Sequence, residues 1–327
     1  MTAAPRPSLV APAPATTVVR SAAAFAEMLD AARAAGRRVG LVPTMGALHA
    51  GHRALVERAV AECDTVAVTV FVNPLQFNDA GDLAAYPRTL DADVALVEEA
   101  GAQIVFAPGV EEMYPGHPVP PATTVHVAGV SEGFEGASRP GHFDGVATVV
   151  AKLFALAGRC RAYFGEKDFQ QLAVVRRMVH DLCLPVEIVG CPTVRQADGL
   201  ALSSRNARLS PAGRTAALAL RRALTAGLTV LGEGVRDPDA VRAAMHDELA
   251  TEPAVTVDYA EVVDAADLRV PGRLAGEVRL LIAAMVEGVR LIDNDGCVLD
   301  DAGARPEGAR PEGARPHLVL TDSRKER

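Results

Sequence analysis

Cysteine is scarce in this sequence and shows no pairing pattern. The 327 residues include five cysteines, an odd number, and none of them form a C-x-x-C pair. This argues against a disulfide framework and against a cysteine-based zinc site. We expect reduced thiols packed in the core at all five positions: Cys63, Cys160, Cys183, Cys191 and Cys297.

Long apolar runs and a basic excess are also missing. No apolar run reaches the roughly 18 residues that span a bilayer, and the Ala/Pro-rich start lacks the basic region and leucine-rich core of a signal peptide. The formal charge of −8, with no concentrated basic stripe, argues against a nucleic-acid partner. We therefore expect a cytoplasmic protein with no membrane partner. The 49% of hydrophobic and 23% of charged residues are typical of a globular chain.

The order of predicted elements divides the chain into four parts. Residues 1–18 are Pro-rich, and residues 301–327 repeat Gly-Ala-Arg-Pro-Glu, so we expect both ends to be disordered or loosely attached. Helices and strands alternate over residues 19–194, which predicts an α/β domain with a doubly wound parallel sheet. Over residues 195–300, two helical stretches precede two strands, which predicts a smaller α+β domain.

A strand, a tight turn and a helix that opens with two histidines form the most informative segment. Val39–Val42 has the length and apolarity of a buried parallel strand, while Gly46 and Gly51 allow close approach of the backbone. A helix start offers unpaired N–H groups and partial positive charge, which suit an anion. His49 and His52 are three residues apart and share a helix face, so both can donate to one phosphate group.

Two other interpretations of this histidine pair exist. The rings could cap the helix or face solvent. A zinc site would need at least a third protein ligand, and neither a Glu inside the pair nor a downstream Cys pair is present. We therefore assign no protein metal ligand.

Polar motifs also follow two other predicted strands, where ligands bind in open parallel sheets. Asn73–Phe77 contains Gln76, and Gly165–Asp168 precedes a predicted helix that carries Gln171. An amide offers both donors and an acceptor, so the two glutamines suit a substrate with hydroxyl groups and a carboxylate. Either glutamine alone would more often be a surface residue.

Two further loops contain cationic residues. Lys167 could neutralise phosphate and Asp168 could accept a ribose hydroxyl or cap the helix; the alternative is an exposed Lys beside an ordinary N-cap. Leu202–Asn206 carries two serines and an arginine that could close over a triphosphate. Arg139 lies in a loop ahead of a helix and could bind a carboxylate or phosphate, or the segment could be a structural turn.

Together these motifs resemble the pantoate–β-alanine ligase family of Rossmann-like nucleotidylyl transferases. Five motifs occur in the order found in that family, which makes the resemblance specific. The histidine segment is similar to the superfamily's His-x-Gly-His motif, and the serine loop resembles the mobile loop of class I synthetases. The motifs are Pro43–His49 with Gly51–His52, Phe71–Phe77, Arg139–Phe143, Phe164–Asp168 with Gln170–Gln171, and Leu202–Asn206.

The resemblance implies a fold, a reaction and partners. The fold would be a Rossmann-like doubly wound sheet with a smaller C-terminal α+β domain. Pantoate would attack the α-phosphate of ATP to give pantoyl adenylate and pyrophosphate, and β-alanine would then attack the acyl carbon to give pantothenate and AMP. Magnesium would accompany the nucleotide, and the protein would be a homodimer.

The resemblance also implies roles for individual residues. His52, His49 and Lys167 would be catalytic, with His49 and His52 at the phosphates and Lys167 at the α-phosphate. Gly165 and Asp168 would contact ribose, and Gln76 and Gln171 would hold pantoate. The remaining nucleotide positions would be Met45, Gly46, Val194, Leu202, Ser203, Ser204 and Arg205, and the remaining substrate positions would be Asn73 and Arg139.

One departure and one rival function accompany the resemblance. Asp91 and Asp93 lie where family members can carry an acidic cluster, but Ala92 interrupts it, so we assign no magnesium ligand there. The rival is a nucleotidyltransferase that acts on a phosphorylated acceptor. That function needs a second phosphate site, whereas the two glutamines favour a small hydroxy acid.

Overall fold

The computed structural model describes residues 16–300 and 303–306, which form two compact units. The first unit extends to His126 and includes Asp144–Phe164 and Met178–Cys191. The second contains Val127–Phe143, Gly165–Arg177 and the chain from Pro192 onward. Residues 127–143, 165–177 and 192–194 of the predicted range 19–194 therefore belong to the second unit. The domain boundary near residue 194 stays a prediction.

The strands that precede residue 192 form one six-stranded sheet in the order β1-β4-β3-β2-β5-β6. Pairing is parallel between β1 and β4, β4 and β3, β3 and β2, and β2 and β5. The strands are β1 Thr17–Val19, β2 Val39–Thr44, β3 Thr65–Val70, β4 Ile104–Phe106, β5 Cys160–Gly165 and β6 Val186–Cys191. The helices among them are α1 Ala22–Ala34, α2 Ala50–Glu62, α3 Ala80–Ala85, α4 Leu90–Glu99, α5 Val110–Met113, α6 Phe134–Ser138, α7 His142–Ala157 and α8 Phe169–Asp181.

Strands β2 and β3 lie in the middle of the six-stranded sheet, and most of the residues that they carry are buried. Val42 of β2 packs in one apolar cluster with Val56 of α2 and Val97 of α4. The order of strands reverses at β2, and ligands of such sheets bind outside the carboxyl ends of strands at this point. The turn between β2 and α2 therefore occupies the position expected of a binding loop.

The second unit contains an antiparallel sheet in the order β10-β9-β8-β7. Its helices α9 and α10 contact each other and the sheet, with Leu220, Met245 and Ile282 in the shared apolar core. The helices are α9 Pro211–Gly232 and α10 Pro238–Ala250; the strands are β7 Val255–Asp264, β8 Gly276–Val286, β9 Val289–Asp300 and β10 Gly303–Pro306. The predicted α/β fold with a C-terminal α+β part is confirmed.

Sequence reasoning did not predict β1, β9 or β10. Strand β1 begins inside the segment 1–18 that was expected to be loosely attached, and β10 lies inside the expected repeat tail. Both are short edge strands, and backbone hydrogen bonds to one neighbour require little apolar side-chain surface. The rest of both predicted ends lies outside the described residues. Within the described part of the chain, no helix is long and apolar enough to cross a membrane.

Candidate active site

The turn after β2 delivers two histidines to the first turn of α2. His49 is the N-cap residue, and its Nδ1 accepts a hydrogen bond from the backbone N–H of Gly51 at 3.1 Å. His52 Nδ1 in turn accepts from the backbone N–H of His49 at 3.4 Å, and the ring centroids are 4.2 Å apart. The two histidines thus form a reciprocal capping box.

This capping determines which ring nitrogen carries the proton. Because Nδ1 of His49 and of His52 accepts from backbone, each neutral imidazole holds its proton on Nε2. A Cβ at Gly51 would lie 2.9 Å from Cε1 of His49, so a larger residue there would displace the imidazole ring. The helix start therefore presents two Nε2–H donors in addition to its partial positive charge.

A buried carboxylate holds the same turn from the side. Asp93 of α4 is 2% exposed, and its carboxylate accepts from the backbone N–H groups of Ala47 at 3.1 Å and Leu48 at 2.8 Å. Ala47 has a φ of 51°, a region that costs a non-glycine residue about 1–2 kcal/mol. Gly46 has a φ of 86°, and a Cβ there would lie 2.9 Å from Asp93 Oδ2. Asp93 thus stabilises the strained backbone that leads to His49.

We predict that Asp93→Asn weakens ATP use by altering this turn. The amide keeps the shape of the side chain but offers one acceptor oxygen to two backbone donors, so one donor loses its partner, at a cost of about 1–3 kcal/mol. The KM for ATP should therefore rise, by roughly tenfold for each 1.4 kcal/mol of ATP-binding free energy that is lost when the turn is displaced. Steady-state kinetics measure this change.

Asp91→Asn is the matched control for that variant. Asp91 lies on the same helix and is exposed, so the same loss of charge there should leave the KM for ATP unchanged. An equal increase in both variants would show that charge, rather than the hydrogen bonds of Asp93, accounts for the effect.

A hydrogen-bonded chain of buried side chains orients Gln76. Tyr114 donates its hydroxyl proton to Asn73 Oδ1 at 2.9 Å, and burial raises the pKa of Tyr114 above its ordinary value. Asn73 Nδ2 donates to Gln76 Oε1 and to the carbonyl of Gly145, both at 3.0 Å. Gln76 Nε2 lies 3.0 Å from the sulfur of Met45. Of the predicted residues, Gln76 therefore contacts both Asn73 and Met45.

The second unit contains a cleft that encloses about 540 Å³ when the space open to solvent is included. Five predicted residues line it, together with several residues that sequence reasoning did not select. The predicted ones are Arg139, Lys167, Asp168, Gln171 and Arg205; the others include Glu135, His142, Tyr259, Asp293 and Asn294. A neighbouring narrow depression is lined by Lys167, Ser203 and Arg205. Lys167 and Arg205 contribute to both.

The cleft carries three cationic side chains, Arg139, Lys167 and Arg205, beside three acidic ones, Glu135, Asp168 and Asp293. Burial lowers the pKa of Arg139, and the nearby positive charge of Arg205 lowers it further. Arg139 Nη1 lies 3.1 Å from Nε2 of the buried His142, which must accept because a guanidinium only donates. Lys167 is 17% exposed, with its Nζ 3.8 Å from Asp168 Oδ1. Arg139, Lys167 and Arg205 are the groups of this cleft whose charge suits an anion.

The serine loop begins a 3-10 turn. Ser203 is its N-cap, and Ser203 Oγ accepts from the backbone N–H of Arg205 at 3.3 Å. The backbone N–H of Leu202 donates to the carbonyl of Val194 at 2.9 Å, which joins two predicted nucleotide positions. Gly165, Val194, Leu202 and Ser204 line neither the cleft nor the depression. The assigned roles of all these residues stay predictions.

Two signals in the sequence could have identified residues that were missed. Asp93 lies three residues after Leu90 and four before Val97, so it interrupts the apolar face of a helix. Asp293 continues the alternation of buried residues that begins at Val289 and Leu291. A polar residue in a buried periodic position needs a polar partner, which marks it for a structural or functional role.

Comparison with known proteins identifies the family of this chain. The family model described as pantoate-beta-alanine ligase matches residues 17–295. The chain belongs to this family. A pantothenate synthetase of Cereibacter sphaeroides is 56% identical over 279 residues, which are 85% of this chain and 98% of the relative. One of Moorella thermoacetica is 49% identical over 85% of this chain and 97% of its own.

Solved structures of family members have the same fold. The pantothenate synthetase of Thermus thermophilus superposes with a TM-score of 0.78 at 49% identity, over 85% of this chain and 98% of that one. The pantoate-beta-alanine ligase of Francisella tularensis, solved with beta-gamma ATP and beta-alanine, gives 0.67 at 29% identity, over 86% and 97%. Membership of the family makes this chain a ligase.

Proposed function

We propose that this ligase condenses pantoate with β-alanine through a pantoyl-adenylate intermediate. A carboxylate oxygen of pantoate attacks the α-phosphorus of ATP, the bond to the β-phosphate oxygen breaks, and pyrophosphate leaves. The amine of β-alanine then attacks the acyl carbon, the bond to AMP breaks, and the amine loses a proton. The products are pantothenate, AMP and pyrophosphate.

The observation that carries this proposal is the histidine capping box. It holds both imidazoles at the start of α2 with Nδ1 as the acceptor and the proton on Nε2, and an N–H donor beside a helix start suits phosphate oxygens that gain charge during displacement. We assign His52 the main charge-stabilising role and His49 a second phosphate contact. Met45 and Gly46 would line the nucleotide position beside them.

The remaining roles are those that the resemblance to the family implies. Gln76, fixed by Asn73, would hold the hydroxyl groups or carboxylate of pantoate in the first unit. In the cleft of the second unit, Lys167 would contact the α-phosphate, Asp168 with Gly165 the ribose, and Gln171 with Arg139 the organic acid. Ser203, Ser204 and Arg205 would bind the departing pyrophosphate, with Val194 and Leu202 beside the nucleotide.

Magnesium would enter as part of the substrate, MgATP. Within the described residues, no group of three or more His, Cys, Asp or Glu side chains is placed to hold a metal ion. The carboxylate of Asp93 already accepts from two backbone donors. Magnesium usually keeps several waters and binds substrate phosphates with few protein ligands, so this donor set fits a nucleotide-borne ion. A cytoplasmic homodimer is also expected, on the basis of family membership.

Product analysis tests the proposed reaction. With MgATP, pantoate and β-alanine, the protein should form pantothenate, AMP and pyrophosphate in equal amounts, and omission of pantoate should abolish AMP formation. Formation of ADP and phosphate would instead indicate an acyl-phosphate intermediate and would contradict the proposal. Transfer of the adenylyl group to a phosphorylated acceptor, with no pantothenate formed, would indicate the nucleotidyltransferase.

A further inference from the structure

Strand β9 carries two consecutive buried polar residues that the reaction above leaves without a role. Asp293 is 4% exposed and Asn294 is 3% exposed. Consecutive side chains of a strand point to opposite faces of the sheet, so each can reach a different neighbour. Strand β9 contacts both the 3-10 turn Glu166–Asp168 and the 3-10 turn Ser204–Arg208.

Asn294 holds the first of these turns through its backbone. Its Nδ2 donates to the carbonyl oxygens of Glu166 at 3.0 Å and Lys167 at 2.7 Å. Its Oδ1 accepts from Nε of Arg279 at 2.7 Å. Both amide protons and the amide oxygen are thus engaged, which fixes the orientation of the side chain and of the two carbonyls that it binds.

Arg279 secures this arrangement from the neighbouring strand β8. It is 3% exposed, its guanidinium lies 4.2 Å from the ring centroid of Phe169, and its Nη2 is 3.7 Å from Glu166 Oε2. Phe169 is the first residue of α8 and directly follows the turn. The turn that carries Lys167 is therefore fixed at its start and at its end.

Asp293 holds the segment that leads to the serine loop. Its carboxylate binds Arg195 in a bidentate pair, at 2.7 Å to Nη1 and 3.0 Å to Nη2. Arg195 also donates to the carbonyls of Gly199 and Asn294, both at 3.2 Å. Arg195 pairs with Ala201 in a β-bridge just before Ser203. Strand β9 thus holds both the segment that precedes Ser203 and the turn that carries Lys167.

We propose that Asn294 and Asp293 are positioning residues for the phosphate-binding loops: Asn294 sets Lys167 through the turn, and Asp293 sets the serine loop through Arg195. The inference rests on the proposed roles of Lys167 and of the loop Ser203–Arg205. Neither positioning residue takes part in bond formation. They act because a displacement of about 1 Å in a catalytic group can cost on the order of 10²-fold in rate.

Asn294→Asp tests the first half of the proposal. Aspartate has the same shape but no N–H donors, and its carboxylate would face two carbonyl oxygens while keeping an acceptor for Arg279. We expect kcat/KM for ATP to fall about 10- to 100-fold, with a rise in KM and a melting temperature within a few degrees of wild type. Arg279→Lys keeps the positive charge but loses the Nε donor to Asn294. It should therefore also lower kcat/KM for ATP, by a smaller factor than Asn294→Asp.

Asp295→Asn is the matched control on the same strand. Its carboxylate pairs with Arg221 of α9 rather than with a loop that carries a proposed site residue. The control should keep wild-type kinetics. Equal losses of kcat/KM in Asp295→Asn and Asn294→Asp would overturn the proposal. They would show that any change of a polar side chain in β9 has the same effect.

A double-mutant cycle with Lys167→Ala separates positioning from general damage. If Asn294 acts through the turn, the fold-loss in kcat/KM of the double variant should be clearly smaller than the product of the fold-losses of the two single variants. Losses that multiply, or wild-type kinetics in Asn294→Asp while Lys167→Ala is impaired, would overturn this inference alone. Wild-type kinetics in Lys167→Ala would instead contradict the proposed site. If Asn294→Asp does not fold, Arg279→Lys completes the same cycle.

Discussion

Replacement of His52 by alanine is expected to lower turnover by about 10²–10³-fold, the range for the loss of one preorganised donor to developing charge. His52 Nδ1 accepts from backbone, so its Nε2–H is the group that the substitution removes from the phosphate position. The same substitution removes one long hydrogen bond of the capping box, which contributes about 0.5–1.5 kcal/mol to stability. Turnover should therefore fall much more than thermal stability.

Two other variants sharpen this test. His52→Gln offers an amide donor but cannot take positive charge, so its turnover should lie between wild type and alanine if charge and hydrogen bonding both contribute. His246→Ala removes an exposed histidine of α10 and should leave turnover unchanged. If His52→Ala unfolds while its folded fraction turns over at the wild-type rate, His52 is structural and the phosphate assignment is wrong.

The sequence predicts correctly those secondary-structure elements near the site whose pattern lies within a short stretch of the chain. The strand, turn and helix around His49 are short-range features, because apolar periodicity and glycine spacing predict them within about fifteen residues. The family resemblance extended this to motifs far apart in the chain. The family, the ligase activity and the fold class were all confirmed by comparison.

The parts that were missed depend on contacts between distant segments. Asp93 acts on Ala47 and Leu48 across 46 and 45 residues, and Asn294 acts on Lys167 across 127 residues. No local pattern gives such pairings, and β9 was not predicted as a strand at all. Its apolar alternation is broken at Asp293 and Asn294, so the feature that matters for the site also obscured the strand.

Edge strands were missed for a related reason. Strands β1 and β10 have three and four residues, too few for a periodic pattern to be recognised. They form because a neighbouring strand offers unpaired backbone groups, which is a property of the sheet rather than of the short segment. The prolines of one end and the repeat of the other predicted loosely attached segments, but they could not show which few residues pair.

The second large effect that we expect is an adenylation half-reaction without β-alanine. In the proposed reaction, His49, His52 and Lys167 act at the ATP phosphates, and none of these residues is assigned a contact with the amine. Enzyme mixed with MgATP and pantoate should release about one pyrophosphate per active site in a burst, as accumulation of an acyl intermediate requires. The adenylate should stay bound because the loop Ser203–Arg205 excludes water from the acyl carbon.

Rapid-quench mixing with ATP labelled at the α-phosphate tests this two-step account most directly. The account predicts labelled pantoyl adenylate, equal in amount to the pyrophosphate burst, on the timescale of one turnover. Addition of β-alanine should then convert all of the label to AMP and form an equal amount of pantothenate. Formation of ADP, or the absence of pyrophosphate until β-alanine is present, would contradict the account even if pantothenate were the final product.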